Sequence, residues 1–207
     1  DLTGVSSKFI IHIADYNVYI FRAQRLFKGK YPELDKKVIA YITNYLENGN
    51  DGDDIDFQES VQNADTSKCL IDTSEDKPEY LDGNNSKAVK KNSRISKQVL
   101  VEANYICAGD DSHTTFLTNK GVSYMEGHHL IPCTYSNANY FWNTRKRNID
   151  CVENVVCLCP TCHRKIHFGS PEEKKTWIER LYMKQISKLS EANLAISLHE
   201  LYELYGL

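Results

Sequence analysis

Two short blocks concentrate the reactive side chains of this chain. Residues 126–132 read E-G-H-H-L-I-P, and residues 154–167 read N-V-V-C-L-C-P-T-C-H-R-K-I-H. They bring His128, His129, His163, His167, Asn154 and the pair Cys159 and Cys162 into one stretch. Imidazole is the commonest metal ligand, and a pKa near neutrality also suits it to accept a proton. Thiolates at C-x-x-C spacing make half of a tetrahedral zinc site. The inventory fits metal-assisted hydrolysis of a phosphodiester. That reaction needs an activated water, neutralised charge on the phosphoryl oxygens and help for the leaving oxygen.

The elements that must position these groups follow from spacing. His163 and His167 lie four residues apart, so on a helix they share a face and can reach one cation. Pro160 and Thr161 suit the start of that helix. His128 and His129 are neighbours in an extended-looking run, Val122 to Ile131. Neighbours on a strand point to opposite sides, so the two should have different jobs: one joins the metal and the other handles a proton. Asn154 leads into Val155–Leu158, a second short strand. The expected order is strand, long loop, strand, helix.

Flanking segments give coarser expectations. Ser170, Pro171 and Glu173 form a capping box that opens a helix with Trp177, Ile178, Leu181, Tyr182 and Ile186 on its apolar face. Ser197 and Glu200 open a shorter one through Tyr205, with His199 as a surface residue. A helix is expected over 94–105 with Val99, Ala103 and Ile106 inward, and another over 34–48. Residues 8–27 do not decide between strand and helix, and His12 there reads as an ordinary core or surface histidine. The basic run Lys87, Lys90, Lys91, Arg94 and Lys97 is a solvated face or a phosphate-facing patch. Residues 133–153 read as a loop whose aromatic residues pack or contact nucleic acid.

The totals narrow the class. At 207 residues the chain holds one core, or a small core with an appended unit. Net charge is −3, but eleven acids against Lys68 and Lys77 crowd residues 51–82, which leaves the remainder mildly basic and able to attract phosphates. Three of the 7 cysteines sit together beside a histidine, a metal-binding rather than a disulfide pattern. No apolar run approaches a membrane span, and the first residues show no secretion-signal pattern. The expectation is a reducing, cytoplasmic setting.

Both blocks, in this order, resemble the HNH or ββα-metal nucleases over about residues 105–170. They are most similar to the branch related to methylcytosine-restriction and phage-defence enzymes, with its E-x-H-H-L-I-P and N-x-V-x-L-C-P-x-C-H-x-x-I-H patterns. The resemblance implies an α+β fold: a hairpin-plus-helix core with a structural zinc knuckle, flanked by helices and an N-terminal α/β extension. It implies a divalent cation held by His128, His163 and His167, with magnesium or manganese as working ion and zinc or nickel as alternatives. His129 would deprotonate water, and Asn154 would hold the loop and help orient it. Arg164 and Lys165 would clamp flanking phosphates or serve as surface charge. For the zinc knuckle, Cys159 and Cys162 need two partners. Relatives often carry a second C-x-x-C upstream, but here Cys107 stands alone, so His113 is the best fourth donor and Asp110 the alternative. Cys133 and Cys151 read as buried thiols.

The organisation that follows is an N-terminal domain of unknown role (1–50), an acidic linker or loop (51–86), an HNH nuclease domain (87–170) and a C-terminal helical tail (171–207). The implied activity is endonucleolytic cleavage of DNA in restriction or antiviral defence, by a homodimer or with a defence-system partner protein, and with no membrane association. The competing readings are a non-catalytic zinc module that docks on nucleic acid, and an RNase or structure-specific nickase.

Overall fold

A short antiparallel pair of strands forms the centre: β3 (Glu126–His129) against β4 (Val155–Leu158), with His128 opposite Val156 and His129 opposite Val155. The computed structural model describes residues 51–65, 73–82 and 87–207, with backbone alone for 51–55 and 82. All lie in one compact unit, Tyr45–Leu207. The segments 8–27 and 34–48, and His12, fall outside the described residues. Around the pair run α1 (Asp51–Asn63), the hairpin β1 (Tyr80–Asp82) and β2 (Lys87–Val89), α2 (Ser93–Glu102), α3 (Tyr135–Arg145), α4 (Pro160–Phe168), α5 (Pro171–Glu191) and α6 (Leu198–Leu204).

Both edges of this two-stranded sheet are closed. In an antiparallel ladder every second residue turns its main-chain groups away from its partner strand. Gly127 does so on β3, and the Gln58 side chain meets it: Nε2 donates to the Gly127 carbonyl at 3.0 Å and Oε1 accepts from its N–H at 3.2 Å. Gln62 Nε2 donates to the Met125 carbonyl at 2.8 Å. On the opposite edge the Ala108 N–H donates to Cys157 at 2.8 Å. Gln185 of α5 donates to the carbonyls of Glu153 and Val155. Gly127 is required on its other side too, because a Cβ there would stand 2.6 Å from Ser96 Cβ on α2. The core beneath is built from Ile95, Leu100, Leu130, Phe141, Leu158 and Leu181, all buried.

Three expectations need correction. The acidic stretch was expected as a linker or loop, but its first part is α1, packed on α2 and β3 through Phe57, Gln58 and Val61. Its stabilisation is tertiary, because its polar composition gives no apolar stripe to read. Residues 133–153 were expected as a loop, but Tyr135–Arg145 is a helix capped by the Thr134 side chain. Only Ala138 and Phe141 are buried on it, so no helical period marks the sequence. The helix over 94–105 stops at Glu102, where Asn104 and Tyr105 take left-handed φ values of 50° and 55°, and Ile106 is left exposed. The two capping boxes, at Ser170 and Ser197, are both formed. His199 is exposed, 3.6 Å from Glu203.

Candidate metal centre and its neighbours

Alternation along β3 sends Glu126 and His128 toward α4, and His129 the other way. On α4 the four-residue spacing stacks His163 and His167, and their Nε2 atoms lie 3.2 Å apart. The His128 ring is 5.0 Å from that of His163 and 5.2 Å from that of His167, each pair near perpendicular. One nitrogen from each of the three rings falls within 4.8 Å of the others, so the donors face a common point. Glu126 Oε2 lies 2.6 Å from His163 Nδ1 and orients the ring, leaving Nε2 toward the cluster. Burial, with like charge on His163, His167, His129 and Lys91, pushes His128 well below the usual imidazole range. That keeps it neutral, the form that ligates metal. The donor chemistry fits a divalent cation.

His129 looks into a different environment. Its Nε2 lies 2.8 Å from Asp150 Oδ1, and both side chains are buried. Asp150 is itself fixed, for its Oδ2 accepts from the Asn92 N–H at 2.6 Å and its N–H donates to Asn148. A carboxylate only accepts, so the proton sits on His129 Nε2 and the lone pair on Nδ1. Phe57 of α1 stands 6.4 Å away, ring centre to ring centre. Asn154 is fully buried. Its Oδ1 accepts from the Ile131 N–H at 2.7 Å, while Nδ2 donates to the carbonyls of Ile131 and Ile149 at 2.9 and 2.7 Å. It clamps the turn after His129 to the segment that carries Asp150.

The second cluster gathers Cys107, His113, Cys159 and Cys162 within 4.8 Å. His113 Nδ1 is 3.2 Å from Cys162 Sγ and 3.6 Å from Cys159 Sγ. Asp110 faces the other ring nitrogen of His113 at 3.8 Å and caps its own turn through Ser112. Cys159 also caps α4, its sulfur accepting from the Cys162 N–H. Burial works to raise the Cys107 thiol, but N–H groups of Cys159 and Asp110, then the His113 ring and the Gly109 N–H, outweigh it and bring it down to about 7. Three thiols and one imidazole within reach of a single point fit tetrahedral zinc. Trp177 of α5 lies beside the cluster, 6.3 Å from the His113 ring.

Residues 99–169 match the family described as HNH endonuclease. This segment is similar to HNH endonucleases across both histidine blocks. Over 97 residues the chain is 30% identical to the type IV methyl-directed restriction enzyme EcoKMcrA of Escherichia coli (strain K12). That stretch is 47% of this chain and 30% of the relative, so the likeness spans under a third of the restriction enzyme's length.

Within the matched segment, His128, His163 and His167 come together, His129 and Asn154 adjoin them, and the three cysteines meet His113. Arg164 is exposed, and the Lys165 ammonium lies 5.2 Å from the Trp177 ring centre. Much of the basic run is occupied locally: Lys90 pairs with Glu79 at 2.8 Å, and Lys97 is buried against Tyr105. Cys151 is a buried thiol. Cys133 instead lies within 4.8 Å of donor atoms of His129 and Asp150. Sequence reasoning missed Asp150 and Tyr205, and gave Glu126 no role. Glu126 had a usable signal, since it stands two residues before His128 on the same strand face. Asp150 lies in an irregular stretch with no period to read.

Proposed function

We propose that the chain is a metal-dependent HNH endonuclease that cuts DNA in restriction or antiviral defence. The observation that carries this reading is the division of labour on β3: His128 joins two imidazoles of α4, while His129, facing away, is held by a buried carboxylate. His128, His163 and His167 would hold a divalent cation, whose chemistry when bound is to neutralise the phosphoryl oxygens and the leaving 3′-oxygen. Magnesium or manganese is the proposed working ion.

His129 accepts the proton of a water at Nδ1, because Nε2 is taken by Asp150. The imidazolium so formed is stabilised by the Asp150 carboxylate. Asn154 keeps the turn that sets the direction of His129. Cys107, His113, Cys159 and Cys162 would hold a structural zinc that ties the segment before β3 to the start of α4. Arg164 contacts a flanking phosphate. Residues 87–170 would form the nuclease domain, with 171–207 as its helical tail and 1–50 as an N-terminal domain of unknown role. One site cuts one strand, so a duplex break requires two copies, and a homodimer is proposed. Among the described residues no helix is long and apolar enough to cross a membrane, and the proposed setting is the cytoplasm.

Support for DNA as substrate comes from the restriction enzyme among the relatives, which its name describes as methyl-directed. The test is cleavage of methylated and unmethylated plasmid with Mg²⁺ or Mn²⁺. EDTA should stop it, and His129→Ala should lower the rate roughly 10²–10⁴-fold without altering the fold. A protein that binds DNA but cuts none of these substrates with any ion would be a zinc-dependent docking module instead.

A further inference from the structure

One group touching the histidine cluster comes from outside the HNH segment. Tyr205, which closes α6, places its hydroxyl 3.0 Å from His128 Nε2, 2.9 Å from the Leu130 carbonyl and 3.4 Å from the His129 carbonyl. A phenol has one proton to give and lone pairs to receive. The two carbonyls can only accept, and Leu130 is the nearer, so the proton points there. Toward His128 the hydroxyl is then the acceptor. The ring nitrogen facing it must carry the hydrogen, and the lone pair moves to the other nitrogen. His128 is 4% exposed, so water offers no ready substitute for this partner.

We propose that Tyr205 is a positioning residue that fixes His128 as the Nε2–H tautomer and so makes Nδ1 its metal-binding atom. This rests on the reading of His128, His163 and His167 as one cation site. The ligand set is then mixed. His163 presents Nε2 because Glu126 engages its Nδ1, whereas His128 presents Nδ1 because Tyr205 engages its Nε2. Metal-bound imidazoles draw their orientation from such outer partners, and losing one weakens metal affinity about 10–100-fold. The helical tail thereby becomes part of the site.

The test uses the whole chain labelled with ¹⁵N-histidine and its zinc knuckle filled. Long-range ¹H–¹⁵N correlation on the otherwise metal-free protein should show His128 protonated at Nε2. In Tyr205→Phe, which removes the acceptor and keeps the ring, His128 should move to a mixture of tautomers. Calorimetric titration with Mn²⁺ should then give about 10–100-fold weaker binding than in the unaltered chain. The proposal is overturned if His128 carries its proton on Nδ1 in the unaltered chain, or if Tyr205→Phe changes neither tautomer nor affinity. The first measurement needs no variant, so a poorly folded Tyr205→Phe still leaves it decidable. Failure of the unaltered chain to bind Mn²⁺ at the three histidines would instead remove the cation site, while the tautomer result would still decide the role of Tyr205.

Discussion

Replacing Asp150 by asparagine tests the chemistry of His129 with little change of shape. Each Asp150 oxygen has one hydrogen-bond donor against it: His129 Nε2 at 2.8 Å and the Asn92 N–H at 2.6 Å. Asparagine must put its NH₂ against one of them. Turned toward Asn92, it sets donor against donor in a buried place, at a cost of about 1–3 kcal/mol. Turned toward His129, it forces the imidazole proton onto Nδ1, the nitrogen that should accept from water. Either way the negative charge that stabilises the imidazolium is gone. A single-turnover cleavage assay with saturating Mn²⁺ should show a loss of roughly 10²–10⁴-fold. Mn²⁺ affinity should hold, because Asp150 does not touch His128, His163 or His167. A variant that cuts within about threefold of the unaltered rate would refute the assignment of His129 as base.

Two further perturbations address the scaffold. Gly127→Ala would drive a Cβ to 2.6 Å from Ser96 Cβ and 2.8 Å from Ser96 Oγ. Urea denaturation should report a loss of about 1–3 kcal/mol, and Ser96→Gly in the same chain should recover part of it; additive losses would contradict the close approach. His113→Ala should release zinc and lower the melting temperature while leaving the tautomer and Mn²⁺ affinity of the histidine cluster unchanged in the fraction that remains folded. Metal analysis after dialysis against a weak chelator should find about one zinc per chain before the substitution and less after it, as a four-donor site requires. Full zinc retention in His113→Ala would assign the fourth donor elsewhere.

What could be read in advance divides along a physical line. Periodic features were legible: the four-residue spacing of His163 and His167, the opposed neighbours His128 and His129, and the capping boxes at Ser170 and Ser197. Each depends on local geometry alone. Of the two donors considered, His113 is the one gathered with Cys159 and Cys162, where a short turn brings it back to them. Features set by distant partners were not legible. α1 has no apolar stripe and is held by Gln58 and Gln62 reaching main-chain atoms more than sixty residues away. α3 lacks a helical period because only Ala138 and Phe141 are buried on it, while Tyr140 is exposed. Asp150 and Tyr205 reach the site from an irregular segment and from the far end of the chain, where nothing in their surroundings announces a partner.

The glutamine seam on β3 has a practical corollary. An isolated fragment beginning at Lys87 would keep every histidine and cysteine of both clusters and still be a poor reagent. Without Gln58 and Gln62 it would display the unsatisfied main-chain groups of Met125 and Gly127 as a template for another molecule's strand. Such a piece should self-associate through that rim. Trimming the acidic arm to isolate the two clusters would therefore trade solubility for brevity.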